Sequence, residues 1–171
     1  MFDSCVLGVD PGVASVGLAV LGRAGSGTPS ILWSHTLKTL ADTPEETRLQ
    51  IIHAAVRDAL AAHHPDTLAI ERLMWGKNVG SAMKVSRASG VIMLAAAEGG
   101  VSVAEYAPLE VKMAATGMGN ADKAQVRLSL ARIHGLEGIP TQPDAADAVA
   151  VAFCHLQQSR LRAATKEAAA R

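Results

Sequence analysis

The chain has 171 residues, and its 16 Lys and Arg balance 16 Asp and Glu, so the formal net charge is zero. This length suits one domain with a sizeable core, and 49% hydrophobic with 19% charged residues is typical of a globular protein. No apolar run reaches the roughly 18–20 residues of a membrane span, and no secretory signal is recognisable. We therefore expect a cytoplasmic protein without membrane association.

The first forty residues predict an antiparallel meander. A buried strand over 4–10 ends at the turn signal Pro11-Gly12, and further strands are expected over 14–22 and 30–38. These three strands are therefore expected to lie next to one another in the sheet.

Helices then alternate with strands. Thr43 is the expected N-cap of a first helix that has Pro44 at its first position and runs to about His63. The later elements are strands over 66–71 and 101–106, and helices over 79–98, 108–116, 121–133 and from Pro143 to about Leu161. A mixed sheet with helices on both faces is the simplest layered arrangement. We expect a single domain over 1–160 and a flexible tail over 161–171.

The zero net charge hides an uneven distribution of charges. Between Arg72 and Ala97 the chain carries four cations and no acid, whereas acids concentrate around residues 42–46. The cations of this stretch are Arg72, Lys77, Lys84 and Arg87. The pattern predicts a basic face that could bind nucleic acid.

Four acids stand out because they interrupt apolar segments. Asp10 and Glu71 each end a predicted strand, and Asp144 and Asp147 lie on one face of the last helix. Taken singly, Asp10 could form a turn, Glu71 could face solvent, and Asp144 could favour the helix dipole. Asp147 has no such simple explanation, because it lies within an apolar stretch.

Taken together, the four acids predict a metal site. Strand ends and helix N-termini are where α/β folds gather their sites, and clustered carboxylates repel unless cations neutralise them. Oxygen ligands without a His or Cys cluster favour Mg²⁺ or Mn²⁺ over zinc. Two such ions about 4 Å apart would suit in-line attack on a phosphodiester.

The ordered motifs of the chain resemble those of the RuvC-type Holliday junction resolvases. The resemblance covers about residues 4–158 and rests on GVDPGVASVGLAV, AIERLMWGKNVGSAMKVSRASGV, VKMAATGMGNADKAQV and PDAADAVAVA. It implies an α/β, RNase H-like fold whose five-stranded mixed sheet has helices on both faces. It also implies a metal-dependent endonuclease that resolves Holliday junctions by paired nicks in opposing strands.

Site residues follow from the same resemblance. Asp10, Glu71, Asp144 and Asp147 match the family's metal-binding carboxylates, which hold two ions per active site. Lys112 and Lys123 match two basic residues near the scissile phosphate; without the resemblance they could be ordinary surface lysines. The implied partners are four-way junction DNA, a second copy of the chain in a homodimer, and the RuvA–RuvB branch-migration complex.

The loop after Glu71 departs from the family pattern. Met74 stands where relatives usually have a Phe that helps open the junction centre, and Trp75 follows it. We expect Trp75, assisted by Met74, to stack on or wedge between bases, although a loop anchor or dimer contact is the alternative. The remaining expected DNA contacts are Lys77, Asn78, Lys84 and Arg87.

Two rival functions are considered beside junction resolution. A YqgF-like RNase H-fold nuclease would act on ribosomal RNA precursors, but such proteins lack the long basic helix and the loop aromatic. A junction-binding module that has lost catalysis would not need all four carboxylates. The helix over 79–97 carries apolar residues on more than one side, which is more than one core-facing stripe requires. The family resemblance implies that this helix lies at a two-fold dimer interface.

Overall fold

The computed structural model describes residues 5–23, 27–74 and 79–169, with side chains described as far as Ser159. Its elements in chain order are β1 (Cys5–Asp10), β2 (Ser15–Gly22), β3 (Ser30–Lys38), α1 (Glu45–His63), β4 (Thr67–Glu71), α2 (Val79–Glu98), β5 (Ser102–Tyr106), α3 (Pro108–Thr116), α4 (Lys123–Arg132) and α5 (Pro143–Ala169). None of the helices within these ranges is long and apolar enough to cross a membrane.

The five strands form one mixed sheet in the order β3-β2-β1-β4-β5. β1 pairs antiparallel with β2 and parallel with β4, β2 pairs antiparallel with β3, and β4 pairs parallel with β5. The carboxyl ends of β1, β3, β4 and β5 therefore lie at one edge, which we call the upper edge. The β1–β2 turn and the first residues of α1 and α2 lie at this edge too.

Alternating side chains give the sheet two apolar faces. On β1, Leu7 and Val9 pack in a cluster with residues of α1 and α2, whereas Val6 packs in a second cluster with α3, α4 and α5. β4 alternates in the same way, with Leu68 and Ile70 on the α1–α2 face. The predicted five-stranded mixed sheet with helices on both faces is thus confirmed.

Two glycines allow α5 to lie directly on the sheet. A Cβ atom on Gly17 would stand 1.9 Å from the carbonyl oxygen of Asp144, and one on Gly8 would stand 2.2 Å from that of Ala148. Real Cβ atoms never approach backbone so closely, so only glycine fits at either position. The first turns of α5 are thereby held against β1 and β2.

Helix boundaries differ from the prediction at three points. Pro44, not Thr43, is the N-cap of α1, because its ψ of 142° is extended and the helix begins one residue later. α4 begins at Lys123, two residues later than expected, after the N-cap Asp122, whose reciprocal bonds with Gln125 form a capping box. α5 continues to Ala169, beyond the expected end, consistent with the high helix propensity of its Ala-rich end. The flexibility of 161–171 stays a prediction.

Candidate active site

Two acids meet at the upper edge because their strands are parallel neighbours. Val9 pairs with Ile70, so the next residues, Asp10 and Glu71, end β1 and β4 side by side. Alternation along each strand turns both side chains towards the face covered by α5. The local sequence thus fixes both their position and their direction.

α5 supplies the other two acids on its first turns. Asp147 lines a pocket of about 170 Å³ together with Asp10, Glu71, Lys112 of α3 and Lys123 of α4. The pocket is completed by the apolar side chains of Pro108, Val111, Val126 and Ala150. Five of the six residues predicted for catalysis therefore lie around one cavity.

Asp144, the sixth, lies beside this pocket and is held by a neighbour on β2. The hydroxyl of Ser15 donates a hydrogen bond to the Oδ2 atom of Asp144 over 2.6 Å. Ser15 was not predicted as a site residue, because a serine at the start of a strand carries no sequence signal for such a contact.

Burial and mutual repulsion raise the pKa of Asp10. Its largely buried carboxyl group has a pKa of about 7, first because of desolvation and then because of the negative charges of Glu71 and Asp147. Lys123 opposes this rise, and Asp144 adds to it. A further positive charge in the pocket would therefore favour the ionised form of Asp10.

The other groups of the pocket are coupled in the same way. Desolvation and then the charge of Asp147 raise the pKa of Glu71, while Lys123 and Lys112 lower it. The ammonium group of Lys123 donates a hydrogen bond to Asp147, and this bond is the main reason that the pKa of Lys123 is raised. Lys123 is thus held as a cation beside the carboxylates.

The donor set of this pocket suits a hard divalent cation, since all the acidic groups offer oxygen. Within the described ranges, however, no three Asp, Glu, His or Cys side chains are arranged so that they could hold a metal ion. Two of the acids have other partners, since Asp147 accepts from Lys123 and Asp144 from Ser15. The ligand type fits, and a metal ion would compete with Lys123 and Ser15 for these oxygens.

Only some of the residues predicted to contact DNA lie within the described part of the chain. Met74 is 60% exposed and lines a second pocket, of about 190 Å³, that also includes Asp10 and Glu71. Lys84 is exposed, whereas Arg87 donates to Glu45 of α1 over 2.6 Å. Trp75, Lys77 and Asn78 lie outside the described residues.

α2 also presents an apolar stripe to solvent. Val79, Met83 and Leu94 are each about half exposed, and helical geometry places them on one side. A Cβ atom on Gly90, which lies between them, would meet no atom within 4 Å. Nothing within the described part of this single chain covers the stripe.

Comparison with known proteins gives consistent matches. The family model described as crossover junction endodeoxyribonuclease RuvC matches residues 6–155. The RuvC of Mycobacterium leprae is 42% identical over 96% of this chain and 88% of its own length. That of Moorella thermoacetica is 42% identical over 97% of this chain and 99% of its own.

Solved structures agree with these sequence matches. Thermus thermophilus RuvC, in a complex with a Holliday junction substrate, has a TM-score of 0.86 and 35% identity, covering 92% of this chain and 96% of its own. A yeast mitochondrial Holliday junction resolvase, at 11% identity and a TM-score of 0.66, shares the fold. The chain therefore belongs to the RuvC family of crossover junction endodeoxyribonucleases.

Proposed function

We propose that this chain resolves Holliday junctions as an endodeoxyribonuclease, by paired nicks in opposing strands during recombination and repair. The observation that carries the proposal is the pocket in which Asp10, Glu71 and Asp147 face Lys112 and Lys123 at the upper edge. Its support comes from the family membership and from a similar protein solved with a Holliday junction substrate.

Divalent metal dependence is general to this family, and the finer proposal is two Mg²⁺ or Mn²⁺ ions per site. Asp10, Glu71, Asp144 and Asp147 would hold them. When bound, such ions would activate a water molecule and stabilise charge on the phosphate. The pKa of Asp10 supports this assignment, because its carboxylate needs nearby positive charge to stay ionised at neutral pH.

The two lysines would act on the phosphate itself. The raised pKa of Lys123 keeps it protonated, so its ammonium group could bind a non-bridging phosphate oxygen. Lys112, on α3, lines the same pocket and could stabilise the charge of the leaving oxygen. Both lysines would also offset the repulsion between DNA phosphates and the carboxylates.

The partners beyond DNA are further proposals. The exposed stripe of α2 supports a homodimer, in which two pockets would face two opposing strands. Docking on the RuvA–RuvB branch-migration complex follows from the family resemblance alone. A cytoplasmic location rests on the absence of a recognisable membrane span or secretory signal in the sequence. The base-wedging role of Met74 and Trp75 is likewise a proposal, supported by the position of Met74 beside the acids.

Cleavage of ribosomal RNA precursors is not favoured, since the family model and the relatives are RuvC endodeoxyribonucleases. The deciding experiment is single-turnover nicking of a synthetic four-way junction, labelled on each strand in turn, with Mg²⁺, Mn²⁺ or EDTA. We expect metal-dependent nicks in opposing strands and none in a structured RNA. RNA cleavage with an intact junction would support the rival nuclease, and binding without cleavage would support a non-catalytic module.

A further inference from the structure

A second charged cluster lies at the upper edge, on the α1–α2 side of the sheet, away from the carboxylate pocket. Glu45, the first residue of α1, accepts a hydrogen bond from Arg87 of α2. Lys84 of α2 and Arg48 of α1 are close enough to act electrostatically on the same carboxylate. One acid is therefore shared by three cations.

This cluster is connected to the active site through a short chain of contacts. The Nε atom of Arg48 donates to the hydroxyl of Thr39 over 2.8 Å, and that hydroxyl donates to the carbonyl oxygen of Val13. Val13 belongs to the turn that directly follows Asp10. These contacts tie Arg48 to the turn that leads away from Asp10 at the upper edge.

The first turn of α1 carries two acids, Glu45 and Glu46, which offset the positive end of the helix dipole. Of the two, Glu45 is the one that accepts a hydrogen bond from Arg87. Arg87 is 51% exposed and Glu45 30%, so a phosphate group could reach the guanidinium. Glu45 and a phosphate would then compete for the same donor.

We propose that Arg48, Lys84 and Arg87 form a contact surface for the phosphate backbone of a junction arm, and that Glu45 weakens this contact by holding Arg87. The inference rests on the proposed function. Glu45 is an internal competitor, because an incoming phosphate must displace its carboxylate from Arg87. The surface therefore binds DNA less tightly than its cations alone would allow.

The test compares Glu45→Gln with Glu46→Gln. Both raise the net charge by one on the same helical turn, but the described contacts pair only Glu45 with Arg87. Binding of a labelled four-way junction is measured by fluorescence anisotropy in EDTA over a range of salt concentrations. We expect Glu45→Gln to bind roughly two- to fivefold more tightly. Its salt dependence should steepen by up to about 0.9 in slope, the value of one phosphate contact.

A double-mutant cycle with Arg87→Gln tests whether Glu45 acts through Arg87. If it does, then in proteins that already carry Arg87→Gln, Glu45→Gln should raise the affinity for the junction no more than Glu46→Gln does. Melting curves and sedimentation would show that each variant keeps the wild-type fold and oligomeric state.

Equal effects of Glu45→Gln and Glu46→Gln would overturn the inference and leave Glu45–Arg87 as a bridge between two helices. Wild-type protein that nicks junctions normally would show that the proposed function survives that result. Wild-type protein that neither binds nor nicks a junction would overturn both proposals.

Discussion

The carboxylate of Asp147 accepts a hydrogen bond from Lys123, and it is also proposed to bind the metal ions of the pocket. Asp147→Asn removes one carboxylate ligand and releases Lys123 from its ion pair. We expect junction nicking to fall by at least roughly 100-fold, because metal ligands matter at least as much as their supporting groups. Junction binding should be unchanged or tighter, since repulsion of the phosphates is reduced.

Single-turnover nicking and anisotropy binding of the same preparation would separate the two effects. Asp58→Asn, an exposed substitution on α1, is a suitable control for the loss of one negative charge. Wild-type nicking by the Asp147 variant would remove this residue from the active site.

The raised pKa of Asp10 makes a prediction about stability. Its pKa is about 7 in the folded chain against an ordinary value of 3.8, so the folded state holds a proton that the unfolded state releases between these values. In metal-free buffer, stability should therefore fall as pH rises from about 4 to 7 and remain low above that. The full difference corresponds to at most roughly 4 kcal/mol.

Urea unfolding in EDTA at pH 5.5 and pH 8 would measure this effect. Asp10→Asn should flatten the difference and be the more stable protein at pH 8. Adding Mg²⁺ at pH 8 should stabilise the wild type more than the variant. If the free energy of unfolding depends on pH equally in both proteins, the titration of Asp10 does not cause that dependence, and this prediction is wrong.

Single residues of the pocket differ in how far the sequence could predict them. Asp10, Glu71 and Asp147 were recognisable because a charge within an apolar segment is costly to bury. Lys112 and Lys123 depended on the family resemblance, since a lysine on a helix surface is ordinary. Their catalytic roles stay predictions until they are tested by substitution.

At the scale of elements, the glycine contacts beneath α5 decide where two of the acids stand. Gly17→Ala would place a Cβ atom 1.9 Å from the carbonyl oxygen of Asp144, so the helix must move. We expect a loss of stability of roughly 1–3 kcal/mol, typical of overpacking. Nicking should fall further than stability alone explains, because Asp144 moves with the helix.

Gly99→Ala is the matched control, because its Cβ atom would meet neighbours at ordinary distances of 3.4 Å or more. Denaturation curves and nicking rates of both variants at a temperature where each is folded would make the comparison. Normal nicking by a folded Gly17→Ala protein would mean that the position of Asp144 tolerates displacement.

Most elements were predictable from hydrophobic periodicity, since strands and helices bury faces of different period. The ends of the helices were less predictable, as the first residues of α1 and α4 show. Thr43 is a good N-cap by residue type, but Pro44 takes an extended conformation and delays the start of α1. The close approach of α5 could not be read at all, because a glycine in a strand does not say which backbone it will meet.

At the scale of the whole molecule, the stripe on α2 predicts how two active sites work together. Leu94 is 51% exposed and Met83 48%, although both are apolar and lie on one side of a helix. If this stripe forms a two-fold interface, each protomer places one pocket against one of two opposing strands. Leu94→Glu should bury a charge there and favour the monomer.

A supercoiled plasmid with an extruded cruciform would report the coupling between the two sites. Paired nicks within one binding event give linear DNA, whereas a single nick relaxes the plasmid and removes the cruciform. We expect the wild type to give mainly linear product and Leu94→Glu mainly nicked circles. Leu128→Glu, at a similarly exposed leucine of α4, should behave as the wild type. One intact pocket suffices for one nick, so a monomeric Leu94→Glu protein should still give nicked circles, and that product would support the proposed dimer. Linear product from a Leu94→Glu protein that is a monomer by sedimentation would contradict it.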